Sequence, residues 1–121
     1  MNKKPTIGFI GVGFMGHGMA SNLLKNGYPL MIKGNRNRTP IDDLVKKGAV
    51  EADSIATLVK SSKIIHLCLS NSNQVENVLE GPGGIIENAR AGVIVIDTST
   101  SDPESSLRMS QGLKDVGMEF V

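Results

Sequence analysis

Residues 6–16 read Thr6-Ile7-Gly8-Phe9-Ile10-Gly11-Val12-Gly13-Phe14-Met15-Gly16, and this stretch decides the fold of the chain. It opens with a mostly β-branched, apolar run, which is typical of a strand buried on both faces. Three glycines follow in the spacing G-x-G-x-x-G, and an amphipathic helical pattern starts directly after them. The stretch therefore predicts a strand, a tight turn and a helix.

The three spaced glycines each have a separate role if the turn binds a dinucleotide. Gly11 permits the sharp turn off the strand, Gly13 lets the backbone approach a pyrophosphate, and Gly16 allows the helix to pack closely on the strand. Unpaired amides at the helix start, together with the helix dipole, then face the phosphates. We predict that the whole turn binds the cofactor, including the intervening Val12, Phe14 and Met15.

Other uses of a glycine turn have to be weighed against this one. Such a turn also occurs without any ligand, so the spacing alone leaves a plain structural turn open. A P-loop is excluded, because the sequence contains no Gly-Lys-Ser or Gly-Lys-Thr. A methyltransferase-type loop stays open as an alternative, although the third glycine, Gly16, favours a dinucleotide.

Short apolar runs alternate with longer amphipathic segments along the rest of the chain. The patterns predict strands at 6–10, 29–33, 49–50, 64–69, 93–96 and 118–121. They predict helices at about 15–26, at 41–47 after a Thr39-Pro40 cap, from Asp53 or Ser54 to 59, at 74–79, and from Ser101 or Asp102 to about 116. This alternation indicates a Rossmann-type α/β fold, a doubly wound parallel sheet of six main strands in three αβα layers. We expect residues 1–121 to form one NAD(P)-binding domain, the N-terminal part of a longer enzyme whose C-terminal helical domain is absent.

Composition excludes several other classes of protein. The 13 basic and 12 acidic residues give a net charge of +1, and there is no tryptophan, so nucleic acid is not an expected partner. No apolar run reaches the roughly 20 residues of a membrane span, and no signal-peptide pattern precedes the first strand. The single cysteine, Cys68, fits a reducing cytoplasmic compartment, and no Cys/His cluster has the spacing of a metal site.

The end of the second predicted strand bears on which dinucleotide binds. NAD-specific domains carry Asp or Glu about 20 residues after the glycine turn, where it binds the ribose 2′-hydroxyl. Residues 33–39 read Lys-Gly-Asn-Arg-Asn-Arg-Thr and contain no acid. An arginine fork matches a phosphate in two-point fashion, so we predict NADP as the preferred cofactor, with NAD as the alternative. The predicted contacts are Arg36 first and Arg38 second, flanked by Asn35 and Thr39; a solvated basic loop is the competing interpretation.

Taken together, residues 8–16 and 19–23 closely resemble the signature of the 3-hydroxyisobutyrate dehydrogenase family. This family of β-hydroxyacid dehydrogenases includes glyoxylate, succinic semialdehyde and tartronate semialdehyde reductases, and 6-phosphogluconate dehydrogenase is a more distant relative. Residues 25–28 are similar to the family's helix end, and residues 81–85 to its glycine-rich segment. Residues 96–100 match its Asp-x-Ser-Thr at the fifth strand. The resemblance extends over the whole chain.

The resemblance implies a further set of site residues. Leu69 and Ser70 occupy the family's usual Leu-Pro site under the cofactor, with Ser70 departing from the proline. Gln74 falls where a polar residue approaches the nicotinamide. Ser99 corresponds to a residue near the nicotinamide ribose and, with Thr100, near the substrate carboxylate; the competing interpretation of Ser99 is a helix-capping role.

The same resemblance implies the activity of the intact protein. It would transfer a hydride between NAD(P) and the carbinol carbon of a small hydroxy acid, or a semialdehyde in the reverse direction, without a metal. The family's substrate-binding segment and its acid–base lysine are not found in these 121 residues, so we expect no catalytic residue here and no turnover by this piece alone. The full-length protein is expected to be a homo-oligomer. An inert NADP-binding regulatory module is the alternative, and a prephenate- or ketopantoate-type dehydrogenase is a weaker third.

Overall fold

The computed structural model describes residues 4–11, 14–34, 38–69, 72–99 and 103–120. Strands and helices alternate through this part of the chain. The strands are β1 (Ile7–Ile10), β2 (Leu30–Lys33), β3 (Val50–Glu51), β4 (Ile64–Leu67), β5 (Ile94–Asp97) and β6 (Glu119–Phe120). The helices are α1 (Phe14–Lys25), α2 (Arg38–Lys46), α3 (Ile55–Ser61), α4 (Ser72–Glu80) and α5 (Pro103–Asp115).

The six strands form one parallel sheet in the order β3-β2-β1-β4-β5-β6. This order reverses direction between β1 and β4, since the chain builds one half of the sheet outward from β1 and then returns to build the other half. It is the strand order of a doubly wound dinucleotide-binding fold, in which ligands lie beyond the carboxyl ends of the strands at the reversal. The predicted fold class is confirmed.

Two apolar clusters hold the layers together, one on each face of the sheet. The first joins Phe9 of β1 and Ile32 of β2 to Ile41 and Leu44 of α2, all of which are fully buried. The second packs the opposite face of β4 and β5 against α3, α4 and α5, with Leu58 among its buried members. Completely burying one such aliphatic or aromatic side chain contributes about 1.5–3 kcal/mol, so these clusters hold the helices on the two faces of the sheet.

Several predicted boundaries were wrong by a few residues, and the causes are local. Helix α2 begins at Arg38, so Thr39 is not its cap; Pro40 is accommodated because a first-turn residue has no amide bond to lose. Strand β4 ends at Leu67, two residues earlier than predicted. Of the two residues proposed to cap α3, Ser54 does so, accepting a hydrogen bond from the Thr57 amide. Within the described ranges, no helix is both long and apolar enough to cross a bilayer.

Candidate cofactor site

The glycine turn lies at the carboxyl end of β1, at the centre of the sheet. Gly11 has a positive φ of 95°, and a Cβ atom there would lie 2.2 Å from the carbonyl oxygen of Cys68. Its amide donates to the carbonyl of Lys33 at 3.2 Å, which joins the turn to the end of β2. A Cβ on Gly16 would lie 2.4 Å from the carbonyl oxygen of Gly11. Both positions therefore exclude a side chain, as the sequence pattern predicts.

This turn has the features that an anionic pyrophosphate requires. Helix α1 starts at Phe14, immediately after the turn, and its first turn contains no acidic residue. The positive end of the helix dipole, together with first-turn amides that have no partner within the helix, therefore suits an anion. Val12 and Gly13, and the side chains of Phe14 and Met15, lie outside the described residues. The residues that are described fit the phosphate groups of a dinucleotide.

Gly34, which the sequence pattern did not single out, directly follows β2. A Cβ on Gly34 would lie 2.0 Å from Cδ1 and 2.5 Å from Cγ1 of Ile41, a side chain that is completely buried. Helix α2 therefore packs tightly against the strand end where NAD-specific domains carry their acid. A glycine directly after an apolar strand was the available signal for this close packing.

Arg38, one of the two arginines predicted to bind a 2′-phosphate, makes a two-point ion pair with Glu51 of β3. Its Nη1 lies 2.5 Å from Glu51 Oε2 and its Nη2 lies 2.8 Å from Oε1. Nη2 also approaches Asp42 Oδ1 at 3.3 Å, one helical turn further along α2. Hydrogen bonding to this guanidinium holds the pKa of Glu51 below its usual value. Thr39 is exposed beside Arg38, and Asn35 and Arg36 lie outside the described residues.

The segments after β4 and β5 are joined by a side-chain hydrogen bond. The Leu69 amide donates to the Ser99 hydroxyl at 2.7 Å, and the Ser99 amide donates to Asp97 Oδ1 at 2.8 Å. Two predicted cofactor contacts, Leu69 and Ser99, thus lie together at the carboxyl edge of the sheet. Gln74 is exposed in the first turn of α4. The remaining predicted contacts there, Ser70 and Thr100, lie outside the described residues.

A contact between α1 and α2 was not predicted. His17 Nε2 lies 2.6 Å from Asp43 Oδ2, and Lys47 Nζ lies 3.0 Å from the same oxygen. Hydrogen bonds from His17 and Lys47 lower the pKa of Asp43. The hydrogen bond between His17 and Asp43 joins α1, which follows the glycine turn, to α2, which carries Arg38. The two residues are 26 positions apart in the sequence, so no local spacing indicates the contact.

His66 lies on β4 outside this site. Its ring stacks on Phe9 with a centroid separation of 4.7 Å, and its Nε2 lies 3.0 Å from Thr98 Oγ1. An open cavity of about 500 Å³ borders it, lined also by Lys4, Met19, Asn22, Leu23, Asn26 and Tyr28. Most of these residues belong to the C-terminal half of α1 or precede β1 and β2. The cavity is therefore separate from the glycine turn, which lies at the opposite end of α1.

Comparison with known proteins identifies the family. A family model described as the NAD binding domain of 6-phosphogluconate dehydrogenase matches residues 6–121. The chain belongs to this family. It is a dinucleotide-binding domain, and the predicted resemblance to hydroxyacid dehydrogenases is confirmed.

Individual relatives agree with this assignment. The domain is 37% identical over 112 residues to an uncharacterized oxidoreductase, YkwC, of Bacillus subtilis, matching 93% of this chain and 38% of the relative. It is 32% identical to the mitochondrial 3-hydroxyisobutyrate dehydrogenase of Rattus norvegicus, matching 100% of this chain and 36% of that enzyme. The solved structure of Psf3 in complex with NADP+ and 2-OPP superimposes with a TM-score of 0.89 at 30% identity, covering 94% of this chain and 40% of that one. The domain thus spans well under half the length of these relatives.

Proposed function

We propose that this chain is the cofactor-binding domain of an oxidoreductase that acts on the CH–OH group of a small hydroxy acid and prefers NADP to NAD. The observation that carries the proposal is the glycine turn at the reversal of strand order between β1 and β4. Side chains are excluded at Gly11 and Gly16, and the start of α1 offers amides to an anion. When bound, the nicotinamide cofactor supplies the hydride chemistry, while this domain binds and orients it.

The remaining site residues receive their proposed roles from the family resemblance. Residues 11–16 hold the pyrophosphate through backbone amides. Leu69 and Ser99, joined by their hydrogen bond, line the nicotinamide side together with Ser70 and Gln74. Ser99 and Thr100 also approach the substrate carboxylate. The described residues at this edge suit binding and orientation, and we assign no proton transfer to any of them.

NADP preference rests on the end of β2. Gly34 lies in the window in which NAD-specific domains carry the acid that binds a ribose 2′-hydroxyl, and a side chain at this position would require Ile41 to move. The arginines that follow, Arg36 and Arg38, favour a 2′-phosphate instead, since a guanidinium binds phosphate oxygens in pairs. Asn35 and Thr39 complete this predicted subsite.

We further propose that this domain works with a second, substrate-binding domain in a longer, homo-oligomeric cytoplasmic protein. Relatives that match the chain are more than twice as long, and one of them is a 3-hydroxyisobutyrate dehydrogenase. The general acid–base group of the reaction is then supplied outside these 121 residues. An inert NADP-binding module remains the alternative. A turnover assay of the longer protein distinguishes the two functions, because only the enzyme would show turnover.

The proposal is tested by titrating the chain with NADPH and with NADH, following nicotinamide fluorescence. We expect both to bind and NADPH to bind about tenfold more tightly, the order of magnitude of one additional charge-assisted contact. Arg36→Ala should reduce this preference and leave the affinity for NADH unchanged. Failure of both nucleotides to bind would contradict the function, and equal or tighter binding of NADH would contradict the NADP preference.

A further inference from the structure

The ion pair between Arg38 and Glu51 lies where the cofactor's adenosine ribose is proposed to bind. Glu51 pairs with Ile32 in the sheet, one residue before the end of β2, so its side chain lies on the same face as α2. From there its two carboxylate oxygens accept hydrogen bonds from both terminal nitrogens of Arg38. A carboxylate thus uses the same two-point fork through which an arginine recognises a phosphate.

We propose that Glu51 is a specificity-determining residue that competes with the 2′-phosphate of NADP for Arg38. The inference rests on the proposed NADP preference and adds to it a carboxylate of the same chain that competes with the cofactor. While the pair is intact, the guanidinium donors that face Glu51 are unavailable to a phosphate. NADH carries no 2′-phosphate and does not require Arg38 to be released. Glu51 therefore weakens the binding of NADPH selectively.

The exposure of the pair makes this exchange feasible. Half of the Arg38 side chain and a third of the Glu51 side chain remain accessible to solvent, at 52% and 34%. An ion pair this exposed opens easily, so a doubly charged phosphate can replace the carboxylate. Asp42 makes a longer, single contact with Arg38, and Lys33 provides positive charge near Glu51. Neither the Asp42–Arg38 contact nor the charge of Lys33 near Glu51 has the two-point geometry of the Arg38–Glu51 pair.

The size of the effect follows from the fraction of molecules in which Arg38 is free. The apparent dissociation constant of a ligand rises in inverse proportion to the fraction of its competent form. An exposed ion pair of ordinary strength is closed roughly half to four-fifths of the time, and it therefore weakens NADPH binding about two- to fivefold. Because the contact is exposed, the effect should shrink as salt rises toward 0.5 M.

The test compares NADPH and NADH titrations of the wild-type chain and of Glu51→Gln. We expect the variant to bind NADPH about two- to fivefold more tightly and NADH as before. The matched control is Glu80→Gln, which makes the same change in net charge by removing a carboxylate from Arg108 on the other half of the sheet. It should leave both affinities unchanged.

A double variant, Glu51→Gln with Arg38→Ala, shows whether the gain passes through Arg38. The NADPH gain should disappear in the Arg38→Ala background, because nothing is left to release. An unchanged or weaker NADPH affinity in Glu51→Gln would overturn the inference, as would a gain that persists without Arg38. The wild-type ratio of the two affinities tests the proposed NADP preference separately. A chain that favours NADH, but whose Glu51→Gln variant gains NADPH affinity, would contradict the preference and support the competition.

Discussion

At the scale of single residues, Gly34 shows how closely a helix can approach a strand end. An added Cβ would lie within 2.5 Å of two atoms of the buried Ile41 side chain, so even alanine forces α2 to shift or Ile41 to leave its rotamer. We expect Gly34→Ala to lower the free energy of unfolding by about 1–3 kcal/mol, the usual cost of overpacking a core. Urea unfolding followed by circular dichroism measures this.

Gly18 provides the control for that substitution. It is exposed in the interior of α1, and a Cβ there meets nothing within 4 Å. Gly18→Ala should therefore stabilise the chain by about 0.5–1 kcal/mol, because alanine is the better helix former. Equal effects of the two substitutions, or a Gly34→Ala variant as stable as the wild type, would show that α2 has more room than its packing indicates.

At the scale of elements, sequence reasoning identified features that depend on local pattern. Every strand predicted from an apolar run is present within a few residues, and the glycine turn lies where its spacing indicates. The contact of Arg38 with Glu51 could not be predicted in the same way, because it depends on the register that places Glu51 opposite Ile32. Segments far apart in the chain meet through sheet pairing, which apolar periodicity does not encode.

The segments after β4 and β5 carry a prediction at this scale. Ser99→Ala removes the acceptor of the Leu69 amide, and we expect a loss of about 1 kcal/mol in unfolding free energy together with weaker dinucleotide binding. Faster hydrogen exchange of the Leu69 amide is the direct readout. Ser61→Ala, at the exposed end of α3, should alter neither quantity. Unchanged exchange at Leu69 in Ser99→Ala would mean that this hydrogen bond does not hold the two segments together.

At the scale of the whole molecule, the protonation of His66 makes folding stability depend on pH. Burial lowers the pKa of His66 below its ordinary value of 6.5, against an opposing effect of the nearby Asp97 carboxylate. The unfolded chain then binds more protons than the folded one as pH falls through about 6.5 and below. Stability should consequently decline over this range, because the protonated imidazole carries its charge in a partly buried position.

The carboxylates contribute at lower pH and can be separated from His66. The pKa values of Asp43, Glu51 and Asp53 are lowered by their hydrogen bonds, so the stability they provide is lost when pH falls below about 4. We therefore expect urea unfolding at pH 7.5 and pH 5.5 to show a loss of stability in the wild type and a smaller loss in His66→Gln. Glutamine keeps a polar group near Thr98 and does not titrate. An identical loss in both proteins would mean that protonation of His66 does not account for the decline, because the carboxylates are still ionised at pH 5.5.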